Sequence, residues 1–236
     1  MSRITLILLV FTAFFAARTQ VQGMAADAYL VFYATYGGKT GHVGIAVDKN
    51  KIRITDCRDC PGGVRYDTVK TGEMVYFDLW PAEERYTYSF FFGSTPARYY
   101  RLPTSSAAAP VTTNSLMEQG LPHAMKDGVD GLARLPTSPA QDAELIAFMQ
   151  RMIDEQRPFD LYDFNCSDFV SAGLALIMPE PPVAEERVLA RMSTTPNRLW
   201  KAVASQPETI ILKDPGPKAD GRFNSERIFS LPTSPK

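Results

Sequence analysis

An α+β fold is predicted, on three observations. Short β-prone runs crowd the first hundred residues, well-capped amphipathic helical patterns begin only after residue 138, and the stretch between them has neither period. The 236 residues are 45% hydrophobic and 11% aromatic, enough for the core of one sizeable domain and too apolar for a disordered chain. Lys+Arg 25 against Asp+Glu 26 leaves −1 at pH 7. A nucleic-acid partner would call for a basic excess, so none is expected. Near-neutrality without a basic stripe also gives no support for an anionic lipid surface. No run of eighteen or more apolar residues occurs, so no stable membrane span is expected.

The elements follow in order. Residues 1–23 stand apart from the fold: Arg3 gives a charged start, 4–17 is apolar apart from Thr5 and Thr12, and small residues follow near Gly23. That is the layout of a secretory signal peptide. Its removal takes away Arg3 and Arg18 and no acid, moving the charge from −1 to −3, and the chain is expected to be exported, periplasmic or secreted. Residues 28–34 read as the first strand and 41–47 as the second. A turn at Asp48-Lys49-Asn50 then leads into 51–56, so Val47 and Ile52 should flank a hairpin. Residues 64–66, 75–79 and 86–92 read as further strands. The stretch 101–138, rich in Pro, Ala, Ser, Thr and Gly, reads as a loop-rich surface insertion. Ser138-Pro139-Ala140-Gln141 is a capping box that opens a helix to about Gln156. Asn165 caps a second helix from Cys166 to about Ile177, and Thr195-Pro196 opens a third to about Ala204. Residues 206–236, with five Pro, read as a C-terminal extension.

Three cysteines and two histidines confine thiol and imidazole chemistry to a few positions. Cys57 and Cys60 admit a structural disulfide, a redox pair or half of a zinc site. The remaining sulfur and nitrogen ligands have no matching spacing, and Pro61-Gly62-Gly63 signals a turn where a thioredoxin-type pair would start a helix. A disulfide at a strand end is the expectation, with no metal and no organic cofactor. Cys166 is then the odd thiol, at a helix start where unpaired N–H groups and the dipole favour a thiolate. His42 sits early in a strand between Gly41 and Gly44, which let another chain approach closely. A thiolate nucleophile needs an imidazole, and the imidazole needs a third polar group to fix its tautomer. Asp56, Thr55 or Asp48 could supply it, and strand alternation leaves the register open. His123, in the loop-rich stretch, is the rival base.

The strings T-G-H-V-G-I-A-V and, far downstream, Y-D-F-N-C-S-D-F-V-S-A-G-L resemble those of the circularly permuted papain-like (NlpC-type) cysteine hydrolases. That group includes the lecithin:retinol acyltransferase-like proteins and bacterial permuted amidases. T-P-N-R-L-W is similar to a T-P-N-x-L stretch of the bacterial members, and His42 precedes Cys166, the permuted order. The resemblance covers about residues 28–100 and 140–205. It implies one domain over 24–205, with an antiparallel sheet packed on the helix that bears the nucleophilic Cys. It also implies that Cys166 attacks a carbonyl, that His42 is base and then acid, and that the Cys166 amide helps form an oxyanion hole. Asn165 would support that hole and Tyr162 could add a hydroxyl. Where the acyltransferases have a second His on the hairpin, this chain departs from the pattern and has Thr55-Asp56, so the resemblance leaves the third member open; Asp56 is the expectation, with Thr55 in support. The implied protein is an exported monomeric cysteine hydrolase of amide or acyl bonds, acting on peptidoglycan stem peptides. A phospholipid or acyl-lipid hydrolase or acyltransferase, an inactive binding domain, and a redox protein using Cys57 and Cys60 are the alternatives.

Overall fold

The computed structural model of the chain describes residues 26–82, 93–121, 123, 127–189 and 191–222. Its first strand, β1 (Ala26–Tyr33), is buried at all eight positions. Such an apolar run belongs inside a sheet covered on both faces. β1 lies between β2 (His42–Asp56) and β6 (Gly131–Thr137), antiparallel to each. β3 (Val64–Pro81) and β5 (Ala97–Leu102) extend the sheet beyond β2, and β10 (Ile210–Lys213) extends it beyond β6. The six-stranded antiparallel sheet has the order β10-β6-β1-β2-β3-β5. Two small antiparallel pairs stand outside it, β4 (Ser94–Thr95) with β7 (Phe159–Asp160) and β8 (Glu185–Val188) with β9 (Arg191–Thr194).

Four helices complete the α+β architecture: α1 (Thr113–Gln119), α2 (Pro139–Glu155), α3 (Cys166–Leu174) and α4 (Pro196–Ala204). The last three begin where their caps place them. Ser138 Oγ accepts from the Gln141 amide while Gln141 Oε1 accepts from the Ser138 amide. On one sheet face, Leu30, Phe32, Ile45, Phe77 and Leu79 meet Leu145 and Met149 of α2, Phe169 and Val170 of α3, and Leu199 and Trp200 of α4. Trp200 stacks on Phe32 with ring centroids 5.0 Å apart. A Cβ at Gly173 would stand 2.7 Å from Met149 Sδ, so the absence of a side chain there lets α3 lie close against α2. Tyr29, Val31, Ala46, Tyr76 and Leu102 form a second cluster with Leu116 of α1, Leu121 and Val129. No helix among the described residues is long and apolar enough to cross a membrane.

Three expectations change. The hairpin expected at Asp48-Lys49-Asn50 is absent, and β2 runs straight through it. The turn signal is absorbed by a register irregularity, with Asp48 opposite Met74 and Asn50 opposite Lys70, and the chain reverses instead after Asp56. The stretch 101–138 supplies α1 and an interior strand, β6, whose Gly131 and Pro136 near the strand ends mask the alternation between them. Part of the expected extension, β10, pairs with β6 as a sheet edge. The strand expected at 86–92 and the leader expected at 1–23 lie outside the described residues. Beyond the sheet, residues 50–56 pair with 64–70 as a two-stranded arm closed at its tip by the Cys57–Cys60 disulfide.

Candidate active site

The site is assembled at the first residue of β2. Asp78 of β3 lies opposite Gly44, so it is the diagonal neighbour of His42 across the strand pair. Alternation along β3 sets Tyr76, Asp78 and Trp80 on one face. Four donors converge on Asp78 Oδ2: His42 Nε2 and His123 Nε2, each at 3.0 Å, and the Tyr76 hydroxyl and Trp80 Nε1, each at 2.9 Å. Asp78 is fully buried and His42 is 2% exposed. The Trp80 ring lies 4.1 Å from that of His42, and Tyr100 of β5 stacks on His123 at 3.8 Å. Gly44 is what admits this arrangement, because a Cβ there would fall inside the Tyr76 hydroxyl.

The carboxylate can only accept, so His42 carries a proton on Nε2 and has one further ring nitrogen for another partner. That partner is Cys166, to which the His42 side chain is hydrogen-bonded. Cys166 is half-buried and is the first residue of α3. Asn165 Oδ1 accepts from the amides of Ser167 at 2.7 Å and Asp168 at 3.4 Å, and Asp168 Oδ2 accepts from the Asn165 amide at 2.9 Å. Asn165 Nδ2 donates to Leu161 O, Thr194 O and Ser193 Oγ, tying the helix start to the preceding loop and to β9. The Cys166 amide, at the first helical position, has no acceptor within the helix.

Burial opposes a charge on His42, yet the hydrogen bonds with Asp78 and Cys166 outweigh it and raise the imidazole pKa from 6.5 to about 9. Burial likewise works against the Asp78 charge. The hydrogen bonds from His123 and His42 win again and hold its pKa down at about 2. Tyr76 is pushed well above the ordinary phenol range, by burial first and by the Asp78 charge second, so it stays a donor. The result is a basic imidazole clamped between an ionised carboxylate and a half-buried thiol at a helix start.

His42, Cys166 and Asn165 come together as the sequence leads one to expect. Asp56 and Thr55 do not. They lie fourteen and thirteen residues along β2 from His42, and at about 3.3 Å per residue that is roughly 45 Å of extended strand. Thr55 Oγ1 donates to Arg65 O there, and Asp56 is exposed. Asp48 is buried but bound to Lys70 at 2.9 Å. The carboxylate beside His42 is instead Asp78. Its signal is an acid inside the apolar run V-Y-F-D-L-W, since a charge in a buried strand must be paired. His123 faces the same carboxylate and is not the partner of Cys166 in His42's place. Tyr162 packs its ring under Arg191, 4.5 Å from the guanidinium carbon. Cys57 and Cys60 are bonded to each other at the arm tip. Comparison with protein-family models, with curated proteins and with solved structures returns no match for this chain.

Proposed function

We propose that this chain is a cysteine hydrolase with the permuted papain-like order of site residues, in which Cys166 is the nucleophile, His42 the general base and acid, and Asp78 the group that orients His42. One observation carries the reading: a single buried imidazole bonded to a carboxylate and to a thiol at a helix N-terminus. The Cys166 sulfur, as thiolate, attacks the substrate carbonyl carbon, and the oxygen gains the negative charge beside the Cys166 amide. His42 gives its Nδ1 proton to the departing nitrogen or oxygen, leaving a thioester on Cys166. A water then loses a proton to His42, attacks the thioester carbon and releases the acid as the thiolate reforms.

The expected leader at 1–23 and the Cys57–Cys60 disulfide support a site of action outside the cytoplasm, because such bonds persist in oxidising compartments. Peptidoglycan stem peptides are the substrate class proposed there. Since Cys57 and Cys60 are bonded, Cys166 is the one thiol open to iodoacetamide. Its alkylation at neutral pH should be fast in the wild type and slower by about 10-fold or more in His42→Ala, through loss of the imidazole partner. A thiol that reacts equally with and without His42 would remove the enzyme reading. Amide release from stem-peptide fragments, abolished in Cys166→Ser, then tests the substrate class.

A further inference from the structure

The Cys57–Cys60 disulfide plays no part in the proposed hydrolysis, and it is oddly placed for a staple. It joins residues three apart in sequence. It stands at the far end of the arm, which the pairs from Asn50–Lys70 to Asp56–Val64 carry outward over roughly 20 Å. No residue of 50–70 belongs to either buried apolar cluster. Around the two half-buried cysteines, Arg58, Asp59, Pro61, Gly62 and Gly63 are all exposed. The backbone closes the same reversal. Gly62 and Gly63 take φ of +74° and +73°, a conformation that favours glycine. The Cys57 amide donates to Gly63 O at 2.9 Å, the Gly63 amide to Cys60 O at 3.0 Å and the Cys60 amide to Cys57 O at 3.1 Å.

The stabilisation a cross-link gives a fold grows with the loop it closes. By linkage, the fold protects the bond from reduction by the same amount. Here the closed loop is among the shortest a chain allows, and the bond ties no core element to another, so the fold protects it little. The C-x-x-C spacing adds a second push. Thiols at that spacing have a depressed pKa, and a leaving sulfur of lower pKa departs faster. A disulfide at an exposed tip is the oxidising kind, readily attacked by other thiols. We propose that the arm tip is a thiol–disulfide exchange site that oxidises dithiols, the paired cysteines of a polypeptide. One substrate thiolate attacks the Sγ of an arm cysteine and forms a mixed disulfide, while the other arm sulfur leaves as a thiolate and takes up a proton. The second substrate thiol loses its proton and attacks its partner's sulfur in the mixed disulfide, and the remaining arm sulfur leaves. Two electrons and two protons pass to Cys57 and Cys60, and the substrate keeps the new disulfide. The tip lies at the opposite end of β2 from His42, so the inference stands whether or not the chain is a hydrolase.

The test follows a single turnover of the full chain with a reduced two-cysteine peptide, read by mass spectrometry after free thiols are alkylated. The chain carries Cys166→Ala, so that no third sulfur takes part. The peptide should be oxidised about 10-fold or more faster than by an equal concentration of oxidised glutathione, because the arm supplies the better leaving thiol. In a buffer of reduced and oxidised glutathione, the arm should gain two alkylatable thiols while circular dichroism stays that of the folded protein. Adding Cys57→Ser and Cys60→Ser should leave the peptide reduced. Three outcomes overturn the proposal: a peptide oxidised no faster than by glutathione, a disulfide that glutathione opens only once urea has unfolded the chain, or oxidation that persists without the two cysteines. The first two readings need only the disulfide-bearing chain, so they decide the matter even where the serine variant fails to fold.

Discussion

Asp78 Oδ2 takes hydrogen bonds from two imidazoles, a phenol and an indole, while Oδ1 is buried without a hydrogen-bond partner. Only a full negative charge concentrated on that oxygen balances so many donors, which makes Asp78→Asn a severe change. It keeps the volume but removes the charge and presents at most one acceptor atom. If the proposed hydrolase reading holds, hydrolysis should fall by about 10²- to 10⁴-fold, with substrate binding little altered, in a kcat and KM comparison. On the proposed mechanism His123, bonded to Asp78, acts through it as a positioning residue. His123→Phe deletes a donor and should lower kcat by about 10-fold, while His123→Gln, which can still donate, restores most of it. On the same mechanism, turnover should decline as pH rises through about 9, where His42 would lack the proton for the leaving group. An alkaline limb unmoved by His123 substitutions would make that residue purely structural. At this scale the sequence is half legible. His42 and Cys166 stand out through scarcity and motif wording. Asp78 and His123 become visible only once strand register and a loop bring them to one point, and neither is encoded locally.

The start of α3 is held by one side chain. Asn165 caps two amides and donates to three further oxygens, so Asn165→Ala loses the cap and leaves buried acceptors unanswered. A cap alone is worth about 1 kcal/mol, and the orphaned acceptors raise the expected loss to about 2–3 kcal/mol in urea unfolding. A loss near zero would mean that β9 and the loop before α3 set the helix start without it. Helix starts were legible because Ser138, Asn165 and Thr195 act within three residues of themselves. The strands were less so. β6 owes its place to β1, about a hundred residues earlier, and its own Gly and Pro speak against it. The arm was legible as alternation but not as an arm. No local pattern says which alternating strand has a sheet behind it.

Across the whole molecule, the site writes itself into the pH dependence of stability. The folded state raises the His42 pKa from 6.5 to about 9, so its contribution is complete below about 6.5 and is lost as pH rises through 9. Asp78, lowered from 3.8 to about 2, contributes above 3.8 and loses that contribution as pH falls through 2. Asp142 works the other way. Burial lifts its pKa to about 6, so it costs stability as pH rises from 3.8 toward 6. Urea midpoints of the wild type and His42→Gln, taken between about pH 6 and pH 10, isolate the imidazole. The gap between the two proteins should close on the alkaline side. A constant gap would contradict a raised His42.

The strand order also sets a schedule. β2 and β3 are joined by one local reversal, so the imidazole and its carboxylate can meet once about eighty residues have left the ribosome. The thiol is encoded eighty-eight positions after Asp78, which at ~5–20 residues per second is roughly 4–18 s of further synthesis. β10 is made later still, and until it arrives β6 has a bare edge. The nascent chain therefore carries imidazole and carboxylate without the thiol for much of its production. The thiol enters on a helix that has nothing to pack on until the sheet exists, so the three groups can meet only when the protein is nearly whole.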